Sequence, residues 1–308
     1  MKFCPECGKP CIGFKFCGEC GKDLRQYRTA PEQNAAPDAS AKNPKAALSD
    51  FDAFLNADGE TYTVVKLKNK ALREVRLPDC VTTVMPEAFR DCDQLCSVFL
   101  PDSVTWIGHS AFAGCTALAS VSLSCGITEI NHSTFTGCSS LHTLTVPEGV
   151  TRIEDNAFTG CASLESVSLP STLVLMGKEI FMGCSSLESV RIPDSVTTMG
   201  TSVFFNCVKL ETAELSDNLT ELSYSTFQNC PRLNAITLPS CLTTIGINAF
   251  NGCSSLRAVT IPNSVTLIES TAFYNCAKLT TVSLPASGPK LGDNVFANSP
   301  NVKCVRRS

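Results

Sequence analysis

The sequence predicts a parallel β-solenoid built from 23-residue coils, with a small metal-binding module at its amino terminus. Three observations support this prediction. Cysteine recurs every 23 residues from Cys92 to Cys276, and phenylalanine keeps the same spacing from Phe89 to Phe296. No insertion interrupts either series. In addition, two Cys-x-x-Cys pairs lie within the first twenty residues.

The amino-terminal module contains two knuckles, CPECG at Cys4–Gly8 and CGECG at Cys17–Gly21. Nine residues separate the two cysteine pairs, so four thiolates can converge on one Zn²⁺, and the glycine after each pair lets the backbone turn. Four thiolates leave no open coordination position, which indicates a structural metal. The stretch resembles the short zinc-ribbon at the amino terminus of many bacterial and archaeal proteins. The candidate ligands are Cys4, Cys7, Cys17 and Cys20, with Cys11 as an alternative to one of them.

Composition divides the chain into four parts. The zinc-ribbon spans 1–25, and 26–49 is rich in Ala, Pro, Asn and Ser, which predicts a flexible linker. An amino-terminal cap over 50–77 lacks the Phe and Cys of the repeat. The solenoid occupies 78–308.

Two elements are predicted in the cap region. Ser49 and Asp52 have the spacing of a capping box, and Phe51 and Phe54 share a face, which predicts a short helix. A strand is expected over Glu60–Leu67.

Each repeat contains two extended segments and a turn. In LESVSLP, Leu164–Pro170, apolar residues alternate and the proline ends the strand. Val150 and Ile153 mark the second extended segment, and Ala157–Cys161 form the turn. Because a unit this small cannot form its own core, it has to stack on its neighbours, so equivalent residues form columns about 4.8 Å apart.

The repeat resembles the BspA-type leucine-rich repeat, also called the Treponema pallidum type, known from host-associated bacteria and some protists. The resemblance extends from about Leu72 to the end and rests on the unbroken spacing of the LxxVxLP and AFxGC motifs. It implies a leucine-rich-repeat solenoid and, by analogy, an adhesin-like surface protein as one alternative function. Where the wider family has Asn or Cys after the strand, this chain has Ser103, Gly149, Ser195 or Ser264, so no asparagine ladder is expected there.

The repeated cysteines are predicted to be core residues. Translation by one coil makes their side chains parallel, so they cannot converge on a metal, and a Cβ spacing of about 4.8 Å is too long for disulfides. None of His109, His132 and His142 recurs beside a cysteine, which argues against a nucleophile. A free cysteine packs as a small hydrophobic residue. The series comprises Cys92, Cys115, Cys138, Cys161, Cys184, Cys207, Cys230, Cys253 and Cys276.

Exposed positions vary between repeats, and the sheet of LxxVxL strands is expected to be concave. The position after the strand leucine is glutamate in three successive coils, which predicts an acidic patch that receives a basic segment of a protein partner. The alternative is a solvated face partly neutralised by arginine. Trp106, the only tryptophan, is a second candidate anchor. The candidate partner-binding residues are Glu165, Glu188, Arg191, Glu211, Glu214 and Trp106.

The sequence contains no carboxylate pair, histidine triad or phosphate-binding loop, so we do not expect an enzyme. It predicts a non-enzymatic protein-interaction scaffold in which the zinc-ribbon is a tethered docking module. Nucleic-acid binding or regulation led by the zinc-ribbon is an alternative. Residues 1–28 favour it with six Lys or Arg against three Asp or Glu, but the net charge of −4 for the chain leaves the remainder acidic.

Location and assembly are predicted from the two termini. MKFCPECGKP lacks the apolar segment of a secretory signal, and no run approaches the roughly 18 apolar residues of a membrane span, so we expect a cytoplasmic protein, with the cell surface as the alternative. The last segment, NVKCVRRS, would present an open strand edge protected by Lys303, Arg306 and Arg307, which predicts a monomer.

We expect one zinc ion per chain, held by the zinc-ribbon alone, because about 25 residues cannot bury enough apolar surface to fold without metal. Metal analysis should find about one equivalent. Replacing Cys4 and Cys17 with serine should abolish it, whereas chelation should leave the unfolding of the solenoid unchanged. A content below about half an equivalent, or a solenoid that melts with chelator, would contradict this expectation.

Overall fold

The computed structural model describes residues 47–307. The candidate zinc ligands Cys4, Cys7, Cys17 and Cys20, the alternative Cys11 and residues 26–46 of the linker lie outside the described residues. The zinc site therefore stays a prediction.

Eleven strands come from the LxxVxL segments and stack as the odd-strand ladder. They are β3 Glu74–Arg76, β5 Ser97–Phe99, β7 Ser120–Ser122, β9 Thr143–Thr145, β11 Ser166–Ser168, β13 Ser189–Arg191, β15 Thr212–Glu214, β17 Ala235–Ile236, β19 Ala258–Thr260, β21 Thr281–Leu284 and β23 Lys303–Arg306. Hydrogen-bonded pairing divides this ladder into β3-β5-β7, β9-β11, β13-β15-β17 and β19-β21-β23.

The second extended segment of each coil contributes to the even-strand ladder. Its strands are β2 Tyr62–Leu67, β4 Val81–Val84, β6 Trp106–Ile107, β8 Glu129–Ile130, β10 Arg152–Ile153, β12 Leu175–Met176, β14 Thr198–Met199, β16 Glu221–Leu222, β18 Thr244–Ile245, β20 Leu267–Ile268 and β22 Lys290–Leu291. Pairing is parallel, and Arg152 lies beside Leu175 one repeat later. The predicted parallel β-solenoid is confirmed.

The third side of each coil is the turn around the AFxGC motif. Its amides bond to the next coil, with Phe158 N donating to Ile180 O at 3.0 Å and Gly160 N to Met182 O at 2.8 Å. The chain turns sharply here, and Gly160 has a φ of 74°. Asn206 occupies the equivalent position two coils later with a φ of 59°, since asparagine also tolerates this left-handed conformation.

A column of phenylalanine rings fills the core. From Phe89 to Phe296 the centroids of successive rings lie 4.8 to 5.7 Å apart, and the ring planes differ by at most 17°. Such separations lie within the range of favourable aromatic pairs. The rings from Phe89 to Phe273 are fully buried, so this column joins the coils into one continuous core.

The repeated cysteines are buried and free, as the sequence predicts. Their thiols are also hydrogen-bond donors, which the sequence analysis did not anticipate. Cys161 Sγ donates to Phe135 O of the preceding coil at 3.3 Å, and the thiols from Cys115 to Cys276 all make this bond. In the last coil Ser299 occupies the cysteine position and its hydroxyl donates to Phe273 O at 2.9 Å. The cysteine position therefore holds a small side chain that can donate a hydrogen bond, rather than a purely apolar side chain.

The amino-terminal cap differs from the prediction in one element. The helix predicted around Phe51 is wrong: Leu48–Asp50 is a single 3-10 turn, and Phe51–Leu55 is strand β1, antiparallel to β2. The Phe51 ring packs edge-on against Phe89 at 6.0 Å and is buried. As a strand, Phe51–Leu55 both covers the end of the phenylalanine column and pairs with β2. These contacts outweigh the capping interaction that favoured a helix. The strand predicted over Glu60–Leu67 is present as β2.

At the other end, β23 pairs in parallel with β21, but Val282 lies beside Cys304 rather than beside Val305, the residue 23 positions later. Arg307 does not protect the edge of this strand. The Arg307 side chain crosses back over two coils and donates hydrogen bonds to Ile261 O and to Asn263 Oδ1, the latter at 3.1 Å. Within the described residues β23 pairs only with β21, so the contacts that hold this coil come from earlier coils. Lys303 and Arg306 are exposed along the strand, as expected.

Cys184 tests the donor role of the cysteine column. At about pH 8, Cys184→Ser should unfold within about 1 kcal/mol of the wild type, because serine repeats the bond of Ser299. Cys184→Ala should cost about 1–3 kcal/mol, because it loses the bond and leaves a void. Chemical denaturation gives both values, and equal stability of the two variants would contradict the donor role.

Alkaline pH should destabilise the solenoid. Burial raises the pKa of Cys184 to about 12 from an ordinary value of 9.0. The folded state therefore retains a proton that the unfolded chain releases, so the stabilisation is complete below about pH 9 and is lost as pH rises towards 12. Between pH 8 and 10.5, both Cys184 variants should gain about 2 kcal/mol in unfolding free energy relative to the wild type. A parallel loss in all three proteins would contradict this assignment.

Arg307→Thr should loosen the terminal coil, because it removes the hydrogen bonds to Ile261 and Asn263, at a local cost of about 1–2 kcal/mol. Arg306→Thr at the adjacent, exposed arginine is the matched control and should leave the coil intact. Hydrogen exchange of the β21 and β23 amides measures the difference. Equal exchange in the two variants would show that the Arg307 contacts do not hold the coil.

Candidate interaction surface on the odd-strand ladder

The three glutamates after the strand leucines lie side by side on the odd-strand ladder. Glu188 N donates to Glu165 O at 3.4 Å, and Glu211 N donates to Glu188 O at 2.8 Å. All three side chains are exposed. The predicted row is therefore present, with its carboxylates at the separation of neighbouring strands.

Arginines of the same face neutralise part of this row. Arg232 Nη1 lies 3.7 Å from Glu211 Oε1, and Arg191 Nη1 lies 3.6 Å from Glu214 Oε2. Both pairs are exposed, so each contributes at most about 1 kcal/mol. Within residues 47–307, Glu165 and Glu188 form no ion pair. The unneutralised part of the acidic patch is thus smaller than the sequence predicts, because Arg232 pairs with Glu211.

A cleft opens beside these glutamates, where the odd-strand ladder is interrupted between β11 and β13. Its volume is about 580 Å³. Val167 and Leu169 line the cleft and are half-exposed. The equivalent residues of the preceding coil, Leu144 and Val146, are buried in the core. Arg191, Pro193 and Ser195 line the opposite side. The sequence analysis did not find this cleft.

Trp106 lies on the even-strand ladder, away from the glutamates in sequence and on a different sheet. It pairs with Thr83, Thr83 pairs with Thr63, and Thr63 pairs with Phe54. Phe54 and Trp106 therefore share one register row of the sheet, and their exposed fractions are 52% and 36%. The sheet therefore has exposed aromatic residues on both outer strands, with two strands between them, an arrangement that the predicted helix at Phe54 did not anticipate.

The described residues contain no cluster of side chains that could hold a metal ion. Among residues 47–307, no three His, Cys, Asp or Glu side chains converge on a common point. His132 lies 3.9 Å from Glu154, an acceptor that is also held by Arg152 at 2.7 Å. In the same part of the chain, no helix has the length and hydropathy needed to cross a bilayer.

The stacked coils, parallel ladders and phenylalanine column define a leucine-rich-repeat solenoid. The BspA type Leucine rich repeat region matches residues 66–188 and 174–303 in six copies. The chain therefore belongs to the BspA-type leucine-rich-repeat family.

Solved structures share this fold. A leucine-rich-repeat protein of T. pallidum is 28% identical, covers 69% of this chain and 91% of its own length, and has a TM-score of 0.50. A leucine-rich repeat protein from Bacteroides ovatus is 21% identical, covers 86% of this chain and 100% of its own, and has a TM-score of 0.55. No curated protein matches the chain.

Proposed function

We propose that this protein is a non-enzymatic interaction scaffold whose odd-strand ladder binds a protein partner. The zinc-ribbon at 1–25 would act as a tethered docking module for a second contact. The proposal goes beyond membership of the repeat family, because it assigns partner binding to the exposed face of the odd-strand ladder.

The observation that supports the proposal is the contrast between core and surface positions. The central core columns keep one residue type, as in the fully buried rings from Phe89 to Phe273 and the buried cysteines from Cys92 to Cys276. The exposed position after the strand leucine instead changes from coil to coil, including His142, Glu165 and Arg257. Stacking of the coils does not constrain the residue type at this exposed position. The residues there can therefore vary to recognise a ligand.

The charge of this face favours a basic partner. Glu165 and Glu188 are exposed and form no ion pair within the described part of the chain, so they can receive lysine or arginine side chains. Exposed charges of this kind accelerate association and help select the partner more than they strengthen binding. We therefore expect an interaction that weakens as salt concentration rises.

Affinity capture with the full chain, followed by titration with the captured partner, tests the proposal. Glu165→Lys combined with Glu188→Lys should weaken binding about 10-fold or more at low salt, because attraction becomes repulsion. Glu221→Lys on the even-strand ladder is the matched control and should bind like the wild type. A variant that lacks the predicted zinc ligands distinguishes partner binding by the zinc-ribbon from partner binding by the solenoid.

Equal binding by the wild type and the double variant would exclude the glutamate row as the contact. A partner retained only by the intact ribbon would show that the solenoid is not the interaction surface.

A further inference from the structure

The interruption between β11 and β13 leaves one backbone amide of the ladder without the acceptor that the next coil provides at several other positions. In five described coils the residue after the strand donates to the next coil, as Val146 N does to Ser168 O at 3.0 Å and Ile192 N to Glu214 O at 2.8 Å. Among the described residues, no such bond is made by the equivalent amides of Leu123, Leu215 and Leu238. Among the residues that the structure describes, the equivalent bond from Leu169 N to Arg191 O is absent. The Leu169 amide is thus available to an external carbonyl.

The same cleft contains an unpaired hydroxyl. Ser195 Oγ is buried and has no hydrogen-bond partner. Equivalent side chains one, three and four coils away donate to backbone carbonyls: Thr172 to Val150 at 2.9 Å, Ser264 to Ser240 at 2.7 Å and Ser103 to Val81 at 2.7 Å. A buried hydroxyl without a partner is destabilising, so a ligand that accepts its hydrogen bond removes that penalty.

Apolar and acidic groups surround these two donors. Val167 and Leu169 are half-exposed, and Pro193 lies opposite. Two other interruptions of the ladder lack this combination, because Leu123 and Leu238 stay buried at 9% and 7% exposure. Glu148 and Asp194 also line the cleft, and Arg191 is paired with Glu214.

We infer that this cleft binds an extended peptide segment of a partner protein, with an aliphatic side chain in the gap and lysine or arginine beside it. The inference rests on the proposed interaction function and names the site and the chemistry of the ligand. A backbone carbonyl of the segment accepts from Leu169 N, and another acceptor pairs with Ser195 Oγ. Added strands of this kind obtain affinity from main-chain bonds and specificity from side-chain pockets.

Charge selects a basic segment over a neutral or acidic one. Glu165 precedes β11 and lies about 10 Å along the strand from Ser168, a distance that three extended residues span. A segment seated in the cleft therefore reaches the unpaired carboxylates of Glu165 and Glu188 on one side and Asp194 on the other.

The test uses the full chain and a synthetic peptide, acetyl-Lys-Val-Lys-Ile-Lys-Val-amide, followed by amide hydrogen exchange and chemical-shift mapping. In the free protein, Leu169 N–H should exchange faster than Val146 N–H and Ile192 N–H. Saturating peptide should slow Leu169 exchange and shift Val167 and Ser195. Peptides with glutamate for lysine, or serine for the aliphatic residues, should not do so.

Two matched variants separate binding from folding. Ser195→Ala removes an unpaired hydroxyl, so the free protein should keep or gain stability while peptide affinity falls about 3- to 10-fold. Ser264→Ala removes a hydroxyl that is already paired, so stability should fall and peptide affinity should stay unchanged. Ser168→Trp, at an exposed position lining the cleft, should block the peptide.

Protection of Leu169 N–H in the free protein equal to that of Val146 would overturn the inference, and so would a peptide that leaves Leu169 and Ser195 unaffected. Peptide binding at the glutamate row without any change in the cleft would also overturn it, while leaving the interaction function intact. Loss of partner binding by the chain as a whole would instead refute the proposed function.

Discussion

Every residue of the repeat has to be compatible with a copy of itself one coil away. Parallel pairing across 23 residues, as between Arg152 and Leu175, imposes this condition on side chains and backbone alike. The phenylalanine rings meet it by stacking in nearly parallel planes, with a separation of 5.3 Å between Phe112 and Phe135. The cysteines meet it because a thiol can donate to the preceding coil while the next thiol repeats the same bond.

The same condition makes the core unsuitable for reactive chemistry. Parallel side chains do not converge, and burial raises the pKa of thiols such as Cys138, to about 12. Reactive cysteines require the opposite environment, one that is exposed and stabilises the thiolate. Within the described residues, the candidate functional positions are therefore those where the repeat varies or where stacking fails. The glutamate row is an example of the first, and the cleft beside Leu169 is an example of the second.

Local sequence signals were reliable in the middle of the array and less so at its ends. Around Phe51 the spacing favoured a helix, yet the end of the phenylalanine column required a covering ring and β2 required a partner strand. Arg307 was predicted to protect the edge of the last strand from pairing, but its side chain donates a hydrogen bond to Ile261 O, two coils earlier. At both ends of the described residues, contacts between segments distant in sequence decide the local conformation.

The sequence by itself determined the fold, the family and the core, because a fixed period forces equivalent residues into columns whatever the detailed geometry. It also placed Glu165, Glu188 and Glu211 in one row. Only the tertiary structure decided that Arg232 and Arg191 neutralise part of this face, and that the ladder opens between β11 and β13. The sequence Ser-Val-Ser forms both β11 and β7, yet Leu169 after β11 is half-exposed and its counterpart Leu123 after β7 is buried. The strand letters are the same, so the difference arises from small offsets between stacked coils that no single repeat encodes.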